Sequence, residues 1–187
     1  MIYHYDSPIG ILTISYDGAL RGLWTSRNVP ADAATAVAAK SAFSAEPGST
    51  AEPVTAWLDA YFAGRNPTID FRVEQTGTPF QQATWRALHT IPYGHTVSYG
   101  QLAVVVGKKL GRPTSARAIG AAVGRNQVLI AVPCHRVIGA NGSMTGYAGG
   151  LDSKRRLLAL ERSECPDTDQ ESEADQALIA TGSRYIQ

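Results

Sequence analysis

Cysteine is scarce in this chain. Two occur in 187 residues, Cys134 and Cys165, and neither sits in a CxxC pair or a Cys/His cluster with metal-ligand spacing. That argues against a disulfide scaffold and gives no reason to expect a metal. No apolar run is long enough to cross a bilayer, so a membrane role is not expected. The opening residues, Met1-Ile2-Tyr3-His4-Tyr5-Asp6, lack the basic-then-apolar order of an export signal. The expected setting is therefore a reducing cytoplasm, where thiols stay free. Phosphate-loop and dinucleotide fingerprints are also missing, and no cofactor is expected. What is present is ordinary globular composition, 44% hydrophobic and 18% charged, which argues against a wholly disordered chain.

Acidic residues are scarce in one place only. Residues 1–76 hold five Lys/Arg and eight Asp/Glu, a net −3. Residues 77–163 hold eleven and two, a net +9, and residues 164–187 hold one and six, a net −5. A basic middle between acidic flanks fits a nucleic-acid-binding section. It fits a generically basic surface equally well. The same divisions organise the chain: an α/β scaffold over 1–76, a mostly helical section over 77–163, and an acidic tail over 164–187 expected to be flexible.

The first section predicts a small antiparallel sheet with a helix. Ile9 to Tyr16 and Ala19 to Thr25 are apolar-rich runs joined at Asp17-Gly18, a hairpin signal. Pro53 opens a helix with Val54, Trp57, Leu58, Tyr61 and Phe62 on one stripe, closed by Gly64. Ile69, Phe71 and Val73 alternate as a strand. Residues 26–52, rich in Ala, Ser and Pro, carry no clear pattern. Nothing in this section gathers a nucleophile with a base.

The second section predicts helices. Thr78 caps and Pro79 begins a helix through Leu88. Ser98-Tyr99-Gly100-Gln101 has the form of a capping box, and its helix is expected to stop at Gly107. Thr114 or Ser115 caps another helix over Ala116 to Gly124, so the pair reads as a helix-turn-helix. That second helix has a small face of Ala and Gly, with Arg117 and Arg125 as its charges. It can lie deep in a DNA groove or pack tightly on a neighbouring helix. Val128 to Val132 reads as buried and extended up to Pro133. Two glycine-dense loops follow, Gly139 to Gly142 and Gly146 to Gly150. Asp152 or Ser153 then caps a final helix with Leu157, Leu158 and Leu160 inward and Lys154, Arg155 and Arg156 outward. Glu161 shares the inward stripe, where a carboxylate needs a partner.

Cys134 lies between Pro133 and His135 in VPCHRV. A free thiol titrates near 8.5, and an adjacent imidazole or cation lowers that to about 3.5–7.5. Nucleophilic catalysis needs a thiol, a base within reach and a group orienting that base. Cys134, His135 and Glu161 supply those three types. A structural buried cysteine beside a satisfied histidine is the competing reading.

The stretch Pro133-Cys134-His135-Arg136-Val137-Ile138 resembles the active-site signature of the O6-alkylguanine-DNA alkyltransferases. Ile91-Pro92-Tyr93-Gly94, Ser98-Tyr99-Gly100-Gln101-Leu102-Ala103, Ala116-Arg117-Ala118-Ile119-Gly120, Asn126 and Gly146-Tyr147-x-Gly149-Gly150 fall in the family's order. Lys154 and the Leu157-Leu158 to Glu161 helix follow in turn. The resemblance covers roughly residues 78–161 and is looser before them. It implies a monomeric DNA-repair methyltransferase that binds double-stranded DNA through its helix-turn-helix. The damaged guanine is flipped out and its alkyl group moves to Cys134, once per molecule; O4-alkylthymine is a further candidate substrate. By position, His135 is the base acting through a water, Glu161 orients it, and Asn126 supports the turn. Tyr147 closes the pocket and protonates the leaving guanine. Tyr99, Val137, Ala148 and Lys154 serve the flipped base. Arg117 fills the gap in the duplex, with Ser98, Tyr99, Arg125 and Arg136 as further DNA contacts.

Three features depart from the family. Lys108-Lys109-Leu110-Gly111-Arg112-Pro113 makes a longer turn between the two helices, and its three cations are expected to add phosphate contacts. Gln127 replaces a common proline. Ala148 has no hydroxyl, leaving only its backbone N–H for O6. Among rival readings, a helix-turn-helix regulator needs no Cys134, His135 and Glu161, and a non-repairing sensor of alkylated DNA lacks the acceptor cysteine. A cysteine hydrolase gives no reason for the basic section.

Overall fold

The computed structural model describes residues 1–38, 43–44 and 50–163. Strands β1 (Ile2–Ser7), β2 (Gly10–Tyr16) and β3 (Leu20–Thr25) form an antiparallel meander, and β4 (Phe43–Ser44) adds in parallel to β1, giving the order β3-β2-β1-β4. Helix α1 (Ala31–Ala38) precedes β4, and α2 (Glu52–Phe62) follows it. Along β2 the side chains of Leu12 and Ile14 are fully buried, whereas Ile11 is exposed. With Leu20 and Leu23 they join one cluster with Val54, Trp57, Leu58 and Tyr61 of α2. The expected hairpin and helix therefore form, with Pro53 in the first turn of α2 and Gly64 left-handed after it.

Ile69, Phe71 and Val73 do not make a strand. Only Val73 bridges, to Leu20, while Leu20 donates to the Arg72 carbonyl and Glu74 donates back to Leu20. Val128 bridges Leu23 in the same way. The exposed edge of β3 thus receives two passing segments, one from each half of the chain. The rest of the Val128–Val132 run turns instead of extending: the Val132 amide donates to the Val128 carbonyl at 3.1 Å, and Ile130 is left-handed at φ 65°. A β-branched residue in that region is strained. The run is buried as expected, because every one of its side chains is covered.

The second section comprises α3 (Pro79–Leu88), β5 (Val97–Ser98), α4 (Tyr99–Leu110), α5 (Ala116–Val123), a 3₁₀ turn at Cys134–Arg136, β6 (Val137–Ile138) and α6 (Leu151–Ser163). Thr78 and Ser98 both make full capping boxes, with Gln81 and Gln101. Ser115, not Thr114, caps α5. Helix α4 runs through Gly107 and ends at Gly111, whose φ of 66° closes it. Gly107 sits inside the helix because the chain returns over it: a Cβ there would stand 3.1 Å from the Arg112 carbonyl. Lys108, Lys109 and Leu110 therefore form the last turn of α4, where the two cations complement the helix dipole. The turn itself is only Gly111 to Ser115. Helix α6 starts at Leu151, so neither Asp152 nor Ser153 is its cap; both lie in its first turn. The acidic tail over 164–187 lies outside the described residues.

Candidate active site

Pro133 ends the buried run, and the chain coils into the turn that carries Cys134, His135 and Arg136. β6 pairs in parallel with β5, which joins this turn to the start of α4. The thiol of Cys134 is buried, its residue 2% exposed. Asn126 donates through Nδ2 to Cys134 Sγ at 3.0 Å and to the Val132 carbonyl at 2.9 Å. Its Oδ1 accepts from the Val128 amide at 3.0 Å and from Gln75 at 2.8 Å. The amide is thus oriented by four partners, and its donating end faces the sulfur.

Next to His135 lies a buried carboxylate with five donor contacts. Glu161 Oε1 accepts from His135 Nε2 at 2.7 Å, Tyr61 at 2.7 Å and Arg136 Nη2 at 2.9 Å. Oε2 accepts from Arg136 Nε at 2.9 Å and the Gly94 amide at 3.1 Å. Burial opposes the charge on Glu161, but the hydrogen bonds and charges of His135 and Arg136 outweigh it and hold the carboxyl well below the usual carboxylate range. With Nε2 donating to an ionised carboxylate, the lone pair of His135 lies on Nδ1. That atom has no partner among the described residues. Burial lowers the pKa of His135 despite Glu161, so the ring rests neutral.

The sulfur behaves differently from the sequence expectation. Burial pushes the Cys134 thiol up to about 11, although the Asn126 hydrogen bond and the charge of Lys154 pull the other way. At neutral pH such a thiol stays protonated. Desolvation wins over Lys154 and the Asn126 hydrogen bond because the sulfur has almost no contact with water. The site therefore holds a protonated thiol beside a neutral base, not a resting thiolate.

The remaining predicted residues divide by exposure. Lys154 is fully buried, not outward: its Nζ donates to the carbonyls of Val137 at 2.6 Å, Thr145 at 3.0 Å and Gly146 at 3.5 Å. It ties β6 to the loop carrying Thr145 and Gly146, and Val137 keeps a second lone pair. Arg136 also turns inward, onto Glu161, the Ile91 carbonyl and the face of Tyr93, so it is not available for the DNA contact expected of it. Tyr147 packs edge-on to His135 at 6.4 Å, with its hydroxyl buried and unpartnered among the described residues. Tyr99 donates to the Thr145 carbonyl at 3.2 Å and stands between the loop and the small face of α5. Ser98 is committed to its cap and half-buried, and Ala148 is half-buried. Arg117 on α5, Arg125 just past its end, Lys108 and Lys109 on α4, and Arg112 in the turn are exposed.

Sequence reasoning missed Tyr61 and Gln75, which enter the site from the first section. Tyr61 did leave a signal. A tyrosine on an otherwise apolar stripe carries a hydroxyl that needs a partner once buried.

Residues 79–163 match the model of the 6-O-methylguanine DNA methyltransferase, DNA binding domain. A methylated-DNA–protein-cysteine methyltransferase of Mycobacterium tuberculosis is 44% identical over 166 residues, covering 87% of this chain and 94% of that protein. The chain belongs to the methylated-DNA–protein-cysteine methyltransferase family. A relative of that name from Methanosarcina acetivorans is 53% identical over 106 residues, 57% of this chain and 65% of that protein. Among solved structures, the M. tuberculosis O6-methylguanine methyltransferase aligns with a TM-score of 0.71 at 41% identity, covering 89% of this chain and 94% of that one. The M. tuberculosis protein OGT in complex with DNA aligns at 0.71 and 40% identity, covering 95% and 98%.

The Glu161 cluster has a consequence for acid stability. A carboxyl with a depressed folded pKa stabilises the fold above its unfolded value, near 4.3, and that contribution is lost as pH falls below it. Denaturant midpoints should therefore show the gap between wild type and Glu161→Gln narrowing as pH falls through about 4. A gap that stays constant from neutral pH down to acid would contradict it.

Proposed function

We propose that this protein repairs duplex DNA by transferring the alkyl group of O6-alkylguanine to Cys134. The observation that carries this is the single buried turn in which Asn126 faces the sulfur and the adjacent His135 rests on Glu161. That arrangement makes a nucleophile when needed and does not store one. The Sγ proton leaves for His135 Nδ1; adjacent residues of a turn point apart, so it passes through a bridging water. Sγ then attacks the alkyl carbon, the S–C bond forms and the C–O6 bond breaks. Tyr147 protonates the departing guanine and recovers its proton from the imidazolium. Thiol and alkylguanine become thioether and guanine, with no cofactor consumed.

A base stacked in a duplex cannot reach this sulfur, so it must leave the stack. Arg117, long and exposed on the small-faced α5, is placed to fill the space it vacates. Lys108, Lys109, Arg112 and Arg125 supply sequence-independent affinity to phosphate that falls with salt. Since Cys134 is covered in this conformation, the pocket must open to admit the incoming base. The carbonyls of Cys134 and Val137 and the Ala148 amide then read the guanine edge.

The test is titration with a duplex carrying one O6-methylguanine. Repaired duplex should accumulate to one equivalent of protein and stop, since the thioether has no route back. Continued turnover, or binding with no repair, would contradict the proposal.

A further inference from the structure

Tyr61 belongs to α2, in the section whose sequence shows no chemistry of its own. Its ring is held on several sides. It stacks on Trp57 at 5.5 Å with planes 20° apart, and meets Phe62 and Tyr93 edge-on at 5.4 and 6.0 Å. The residue is 2% exposed. Its hydroxyl donates to Glu161 Oε1 at 2.7 Å and lies 3.4 Å from His135 Nε2. The phenol and the imidazole therefore compete for one carboxylate oxygen.

That competition has a chemical effect. A carboxylate given wholly to an imidazole favours the protonated ring. A ring that already carries the proton cannot take one from a thiol. Each additional donor on Glu161 draws off part of its charge. Arg136 and the Gly94 amide do so from the second section, and Tyr61 does so from the first.

We propose that Tyr61 is a positioning residue for the transfer reaction, its hydroxyl fixing Glu161 and sharing its charge so that His135 rests as a neutral base. This stands on the reading of His135 as the base. The groups facing the pair come from each element packed on it. Tyr61 comes from α2, Tyr93 from the segment before β5, Cys134 and Arg136 from the reactive turn, Tyr147 from the loop, and Lys154 from α6. Arg136 and Lys154 both disfavour a charged imidazole, so Tyr61 acts in the same direction as two fixed cations.

Tyr61→Phe keeps the ring and deletes the hydroxyl. Single-turnover methyl transfer is measured across pH, together with the nitrogen NMR titration of His135. The acid limb of the rate profile and the His135 midpoint should both move to higher pH by about one unit. Transfer on that limb then falls about tenfold, the scale of one hydrogen bond to a charged group. A ring-fluorinated tyrosine at position 61 is a stronger donor and keeps the packing; it should move both midpoints to lower pH. If both stay at their wild-type positions in an active protein, whatever happens to thermal stability, the inference is overturned and the repair reading survives. Movement of either variant in the opposite direction overturns it too. Absence of transfer in the wild-type protein overturns the repair reading on which it stands.

Discussion

Glu161→Gln should destabilise the protein by about 3–5 kcal/mol and slow methyl transfer about 100-fold or more. The stability effect follows from the partners. All five contacts on the carboxylate come from donors: His135, Tyr61, Arg136 twice, and the Gly94 amide. A glutamine presents one acceptor and one donor end. Whichever way it turns, its NH₂ faces at least two other donors, and the Arg136 guanidinium loses its counter-charge. Arg136 itself is 11% exposed in its side chain, so water replaces little of what is lost. Breaking a buried pair from one side leaves the other charge unpaired, which is why the change exceeds what a surface pair would give. The rate effect follows from the imidazolium that forms as the thiol ionises. Glu161 carries the negative charge that stabilises it. Chemical denaturation and single-turnover kinetics on the same variant check the two parts. A folded, fully stable variant with the wild-type rate would remove Glu161 from the account.

Cys134→Ala should abolish transfer altogether while leaving the fold and the affinity for alkylated duplex intact. The sulfur is buried but small, and it contributes one of the four contacts on Asn126; the bonds to Val132, Val128 and Gln75 remain. The turn therefore keeps its shape. The exposed cations proposed to meet phosphate lie on α4, on α5, just past its end and in the turn between the two helices, and the substitution touches none of them. Retained binding without repair, read by gel shift and by the fate of the methylated base, is the expected pattern. Residual transfer in this variant would assign the acceptor elsewhere.

Local rules were legible in the sequence wherever one segment decides the outcome. The cap at Thr78, the capping box at Ser98, the hairpin at Asp17-Gly18 and the inward stripe reaching Glu161 all form from residues within a few positions of one another. Errors arose where distant chain segments decide. Gly107 reads as a helix stop until the return of the chain over it is seen. Val73 and Val128 read as strand residues, but β3 offers each only a single bridge. Lys154 reads as an outward cation and Arg136 as a DNA contact because the sequence does not show the carbonyls and the carboxylate waiting for them. Resemblance supplied Cys134, His135, Glu161 and Asn126 by position. It had little to say about Tyr61 and Gln75, which lie in the section where it is loosest. The protonation state of Cys134 is hidden for a related reason: the neighbours that lower a thiol's pKa are visible in sequence, and the burial that raises it is not.

Mass mapping of peptides tests the whole chemical scheme at its narrowest point. Protein is mixed with one equivalent of duplex carrying O6-methylguanine, digested, and each cysteine-containing peptide weighed. The scheme predicts one methyl group on the Cys134 peptide, none on the Cys165 peptide, and unmodified guanine left in the duplex. A methyl group found anywhere else, or a repaired duplex with no mass gained by the protein, would contradict it.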